Sequence, residues 1–308
     1  MKRYLSAVLM CFILFLSVKA HGQYLEIRSS KLCLRLDLTR GGAICHISKR
    51  GSERNLVNTY DEGRYIQQSY YAGKSVNRQS EGQSPTWSPW PWNPIQVGDY
   101  ARNRAPILEK AKRGNTLYVK CIPMLWDMNN QYAEAIMEQW TTLRGNIIKV
   151  KNRLTCHRTD SLYGEGVEIS QEIPAVYPIS SLCRLYGYFG SRPFTYEKMD
   201  TKEVKEIIIG DPEHFWGRYP DVPEKWMAFT DKEGWGMGIY SPSAMGFLAG
   251  RFLPDRNGES ADAATSYIAP LSNERLIKTD VMEYEYYIII DKIDHIRKKI
   301  YRIQAKQH

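Results

Sequence analysis

Apolar and polar residues alternate with a period of two along most of the chain, and a helical repeat surfaces only once. From Asn146 to Cys156, the residues Ile148, Val150, Leu154 and Cys156 share one face and Lys149, Lys151 and Arg153 the other, as in a half-buried antiparallel strand. Ala133 to Leu143 predicts its partner, and Arg144-Gly145-Asn146 supplies the turn of a hairpin. Further strands are predicted over Tyr24–Arg28, Leu32–Leu38, Thr116–Leu125, Val167–Glu172, Cys183–Phe189, Lys205–Ile209, Trp226–Thr230, Gly236–Tyr240 and Val281–Ile290. About a dozen strands between Gly, Asn, Pro and Asp turns predict an all-β fold, a large antiparallel β-sandwich. The single helix is expected at the end, where Ile293, Ile296, Ile300 and Ile303 recur at steps of three and four and pack one stripe onto the sandwich edge. Two stretches carry no regular pattern. Pro254 to Ser266 reads as a plain surface loop, whereas Ala72 to Pro106 is too long for an ordinary connection, which marks it as functional.

The N-terminus changes the reading of the rest. Lys2 and Arg3 precede an apolar run from Leu5 to Val18, and Val18-Lys19-Ala20 places small residues at both recognition positions of a cleavage site. Residues 1–20 therefore read as a secretory signal, cleaved near Ala20, and residues 21–308 as one exported domain, periplasmic or secreted. No other stretch approaches the roughly 18 apolar residues of a membrane span. Losing Lys2, Arg3 and Lys19 lowers the formal charge from +8 to +5, too modest to indicate a nucleic-acid partner. Export permits disulfides, but Cys33, Cys45, Cys121, Cys156 and Cys183 are odd in number. Their simplest reading is as buried strand residues, with room for one or two disulfides. No His/Cys cluster has zinc spacing, and there is no GxSxG, P-loop, HExxH or Rossmann signature, so no metal and no cofactor is expected.

The 308 residues hold 21 Tyr and 8 Trp against 8 Phe, a bias toward rings with a polar handle. They concentrate where regular structure is weakest, in DEGRYIQQSYYAG (Asp61 to Gly73) and WSPWPWNP (Trp87 to Pro94). If Arg64 to Tyr71 is a strand, it carries Arg64, Gln68 and Tyr70 on one face and Gln67 and Tyr71 on the other. Such faces suit a groove for a ligand with many hydroxyls better than a dry core. Indole faces of Trp87, Trp90 and Trp92 suit sugar rings, with Arg64, Gln67, Gln68, Tyr71, Asn93, Asp99 and Trp216 as further binding candidates. Glu138 and Glu172 are the leading catalytic candidates, a carboxylate pair able to act as acid and base, or acid and nucleophile, on a glycosidic bond. His214, among aromatics in GDPEHFWGRYP, is a lesser candidate. Tyr70 or Tyr71 with Arg64 or His214 offers instead the abstraction of a proton beside a uronate carboxylate, which starts β-elimination.

Several segments together, MEQWTTLRGNIIKVKNRLT, QEIPAVY, Trp226 to Pro242, YIAPL and EYEYYIII, resemble exported proteins of the galactose-mutarotase-like superfamily. These are β-supersandwiches found in aldose epimerases and in domains of polysaccharide lyases and glycoside hydrolases. The resemblance implies a sugar ligand and, in the epimerases, a His acid with a Glu base on a late strand, where Glu283 and Glu285 stand. The expected early pair of histidines is missing, and the tryptophan loop and export signal fit a poly- or oligosaccharide, acidic or neutral, better than a monosaccharide. Hydrolysis is the first reading, elimination the second, and non-catalytic glycan binding the third.

Overall fold

The computed structural model describes residues 22–164, 166–202, 217–253 and 258–307. The expected signal segment, the predicted strand Lys205–Ile209, His214 and Trp216 lie outside these residues. In chain order the first strands are β1 (Tyr24–Arg28), β2 (Leu32–Asp37), β3 (Ala43–Lys49), β4 (Ala72–Val76), β5 (Trp90–Trp92), β6 (Pro94–Ile95) and β7 (Ile107–Arg113). There follow β8 (Thr116–Cys121), β9 (Met124–Leu125), β10 (Ala135–Arg144), β11 (Ile147–Cys156), β12 (Ile169–Glu172), β13 (Arg184–Gly187) and β14 (Asp200–Lys202). The last are β15 (Gly217–Tyr219), β16 (Trp226–Thr230), β17 (Trp235–Tyr240), β18 (Gly246–Phe252), β19 (Thr265–Glu274), β20 (Val281–Lys292) and the helix α1 (Ile293–Gln304).

Nine strands form the large sheet in the order β14-β13-β16-β17-β20-β11-β10-β8-β7, and four form a second sheet, β12-β19-β18-β15. All pairings within both are antiparallel. The predicted hairpin is present with Arg144 opposite Ile147, and Gly145 takes the left-handed conformation at φ +59° that the two-residue turn requires. Period two does its work here: Met137, Ile148, Val150, Leu154, Tyr284, Tyr286 and Ile288 of the large sheet enter one core with Phe247, Ala249 and Ile268 of the small one. The small sheet β1-β2-β3 adds Ile27, Leu34, Leu36, Ile44 and Ile47 to the same core.

Helix α1 lies across the far side of the large sheet, where Ile296 and Ile300 pack with Trp226, Ala228, Tyr240, Tyr287 and Ile289. Gly238 permits the approach, since a Cβ there would stand 2.4 Å from Ile296 Cγ2. The helix is also bolted by a buried carboxylate. Glu224 accepts from Arg297 Nη2 at 2.7 Å, Tyr301 Oη at 2.5 Å and Trp226 Nε1 at 2.8 Å. Among the described residues no helix is long and apolar enough to cross a membrane. The five cysteines among the described residues are free thiols, and burial pushes those of Cys45, Cys121 and Cys156 up to about 12, so these three are inert packing residues. The stretch Ala72 to Pro106 is not structureless: it holds β4, β5 and β6, with β4 pairing β5 and β6 pairing β9.

Candidate functional site

The site is built on the face of the four-stranded sheet that turns away from the core. In β19, Ile268 points inward, while Tyr267, Ala269 and Leu271 form a separate apolar layer with Leu248, Ala175 and Tyr177. Glu172 ends β12 directly opposite Leu271 and so shares that face. Its carboxylate accepts a hydrogen bond of 2.5 Å from Tyr267 Oη. The Tyr177 ring packs on Tyr267 with centroids 4.8 Å apart.

The segment before β4 is brought alongside by two devices. Gln67 bridges to Ala175, and Gln171 clasps the main chain of Tyr71, accepting from its N–H at 2.9 Å and donating to its carbonyl at 2.8 Å. Tyr71 then begins a row of half-buried rings meeting edge to face. Tyr71 and Trp90 stand 6.1 Å apart, Trp90 and Trp87 5.2 Å, and Trp87 and Trp126 5.9 Å. Asn93 fixes this row, accepting from Trp90 Nε1 at 3.1 Å and donating to the Tyr70 carbonyl at 2.7 Å. At its other side Arg64 pairs with Asp61 at 3.1 Å, donates to the Ala263 carbonyl at 2.7 Å and stacks over Tyr60.

Burial raises the Glu172 carboxyl above the usual carboxylate range, and the Tyr267 hydroxyl opposes this only in part. Burial, then the charge of Glu172, pushes the phenols of Tyr267, Tyr177 and Tyr71 upward as well. The arrangement is a carboxyl group that takes up a proton readily, set among phenols that keep theirs.

The structure separates the other sequence candidates. Glu138 lies on β10, on the outer face of the large sheet, where it accepts from Tyr118 Oη at 2.7 Å and faces Arg153 at 3.6 Å. The core stands between it and Glu172, so the expected carboxylate pair across one groove does not exist. Glu283 and Glu285 also lie on that outer face, bound to Lys151 and Arg153 and to Lys149. The position they were expected to fill as a base is a charge ladder. Arg64 to Tyr71 is not a regular strand, and Tyr70 is fully buried, donating to Gln68 Oε1 at 2.8 Å. Gln68 reaches the Glu138 carbonyl and Gln67 the Glu62 and Gly63 carbonyls, both from buried positions. Trp92 is fully buried under Arg158, and Asp99 is a loop cap for the N–H groups of Asn103 and Asn130. Tyr70, Gln67, Gln68, Trp92 and Asp99 are thus buried structural residues rather than ligand contacts, while Glu172, Tyr71, Trp87, Trp90 and, at the rim, Arg64 face the site. Tyr267, Tyr177 and Gln171 escaped the sequence reading. The signal for Tyr177 was its place just beyond Glu172, whereas Tyr267 stands in an apolar run with nothing to mark its hydroxyl.

No protein-family model and no curated protein matches this sequence. Solved structures do. An Escherichia coli K12 protein assigned as an aldose 1-epimerase superposes with a TM-score of 0.51 at 10% identity, covering 88% of this chain and 99% of its own. A galactose mutarotase-like protein of Lactobacillus casei gives a TM-score of 0.50 at 10% identity, covering 87% of this chain and 99% of its own. At such identity the likeness is one of architecture. The chain shares the fold of these two proteins, a large antiparallel β-sandwich.

Proposed function

We propose that the protein is an exported carbohydrate-active enzyme in which Glu172 transfers a proton at an anomeric centre. The observation that carries this is the Glu172–Tyr267 hydrogen bond on an outward face, beside a row of rings. The row from Tyr71 to Trp87 offers apolar faces to a sugar ring, and Glu172, whose carboxyl burial raises above its ordinary value, donates its proton to a glycosidic or ring oxygen. Tyr267 Oη then stabilises the carboxylate that remains. Hydrolysis by two carboxylates loses the partner that Glu138 was expected to be. Elimination by a tyrosinate is opposed by burial, which raises the Tyr267 phenol and disfavours its ionisation.

The test incubates wild type and Glu172→Gln with aldoses and with neutral and uronate-containing polysaccharides. Polarimetry, new reducing ends and ultraviolet absorbance of unsaturated uronates report ring opening, hydrolysis and elimination. Conversion by wild type that Glu172→Gln loses while still binding is the expected result. Conversion by Glu172→Gln at the wild-type rate, or no saccharide binding at all, overturns the assignment. Binding without conversion makes the protein a non-catalytic glycan binder on the same rings.

A further inference from the structure

The large sheet has a groove of about 220 Å³ on the outer face near its β7 edge, on the other side of the core from Glu172. Its walls come from two adjacent cross-strand rows. Ala111, Tyr118 and Trp140 stand side by side on β7, β8 and β10, and the next row brings Arg113 beside Thr116. The groove exists because Ala111 is small: it leaves open the space between the Arg113 arm and the ring pair. Tyr118 and Trp140 are half-buried and form a tilted pair with centroids 5.2 Å apart.

Charges around the groove are nearly all committed. Glu138 is held by Tyr118 and Arg153, and Glu109 by Lys120 at 3.1 Å. Arg113 is the exception. It is exposed, and among the described residues it makes no ion pair or side-chain hydrogen bond. The Trp140 indole N–H is likewise without an acceptor among them. A ring surface beside an uncommitted planar guanidinium matches a carboxylate-bearing ligand with an apolar C–H face, because the guanidinium fork bonds a carboxylate through two parallel N–H groups.

We infer that this groove is a second saccharide-binding site, specific for a uronate unit: the ring lies on Tyr118 and Trp140 and its carboxylate meets Arg113. The site anchors an acidic glycan on the face opposite Glu172 and does not depend on the chemistry proposed there.

Affinity electrophoresis of the full chain in polygalacturonate, with dextran as the neutral control, tests this. Wild type is expected to be retarded by polygalacturonate and not by dextran. Arg113→Ala, which breaks no ion pair or side-chain hydrogen bond of the fold, weakens the affinity about tenfold. Arg113→Lys, which keeps the charge but loses the fork, falls between, and Trp140→Ala weakens it comparably. Glu283→Gln, on the same outer face but outside the groove, leaves the retardation unchanged. Equal migration in the two polymers, or wild-type retardation of Arg113→Ala, overturns the site. Loss of retardation in Trp90→Ala equal to that in Arg113→Ala overturns it too, since the uronate then sits on the rings of the other face.

Discussion

On the outer face of the large sheet Glu138, Glu283 and Glu285 each face a Lys or Arg, whereas on the outer face of the small sheet Glu172 is bonded to a phenol. Both sets of carboxylates sit on antiparallel strands at half-buried or exposed positions. Their surroundings push them in opposite directions. The hydrogen bonds of Lys151 and Arg153 lower the Glu283 carboxyl, while burial raises that of Glu172. A carboxylate matched by cations is a surface charge; one left among phenols and apolar rings is a proton store.

Four measurements break or sharpen this contrast. The largest effect is expected from Glu172→Gln, which should lower turnover by about 10²- to 10⁴-fold with saccharide affinity kept, while Glu138→Gln leaves turnover intact. A full loss in Glu138→Gln would place the chemistry on the wrong face. Next comes a carboxylate that is both buried and matched. Glu224 is fully buried against Arg297, and Glu224→Gln leaves that guanidinium uncompensated, at a cost of about 3–5 kcal/mol in urea unfolding.

The pH dependence of stability separates Glu224 and Glu172 by sign. Burial pushes Glu224 up, but the hydrogen bonds of Arg297, Tyr301 and Trp226 outweigh it and hold the carboxyl below its ordinary value. Its contribution is therefore complete above the unfolded carboxylate value and is lost as pH falls through the lower folded one. Glu172 is raised, so the folded state holds the extra proton, and stability falls as pH rises from the unfolded value through the folded one. Denaturation midpoints across that upper range should fall for wild type relative to Glu172→Gln. A parallel course for the two proteins would remove the raised carboxyl. The smallest effect belongs to Glu283→Gln, below about 1 kcal/mol and vanishing in 1 M salt. A larger loss would mean that the ladder supports the sheet.

Alternation made β10, β11 and the first half of β20 legible, since buried and more exposed positions alternate there. The stripe of isoleucines likewise marked α1 almost to the residue. Strands β18 and β19 are buried on both faces over most of their length, so they show no period, and with them went Tyr267. Glu138 misled for a related reason. Period two says which side of its own strand a residue takes, but a sandwich has two outer faces, and nothing local says which of them a given strand presents. Glu172 was legible only as half of a carboxylate pair whose other member, Glu138, lies on the opposite outer face. The rings of Trp87 and Trp90 were legible because proline-rich aromatic segments fit no regular element, but Trp92, two residues on, turned inward.

Gln171 and Tyr71 are 100 residues apart in the chain, and Glu172 and Tyr267 are 95 apart. No fragment carrying one of them holds the others, and each contact closes a long loop whose entropy must be met before the contact exists. The candidate site is thus among the last features to assemble. In refolding from urea, recovery of saccharide binding should lag the secondary-structure signal, and the lag measures how late the two halves of the chain find each other.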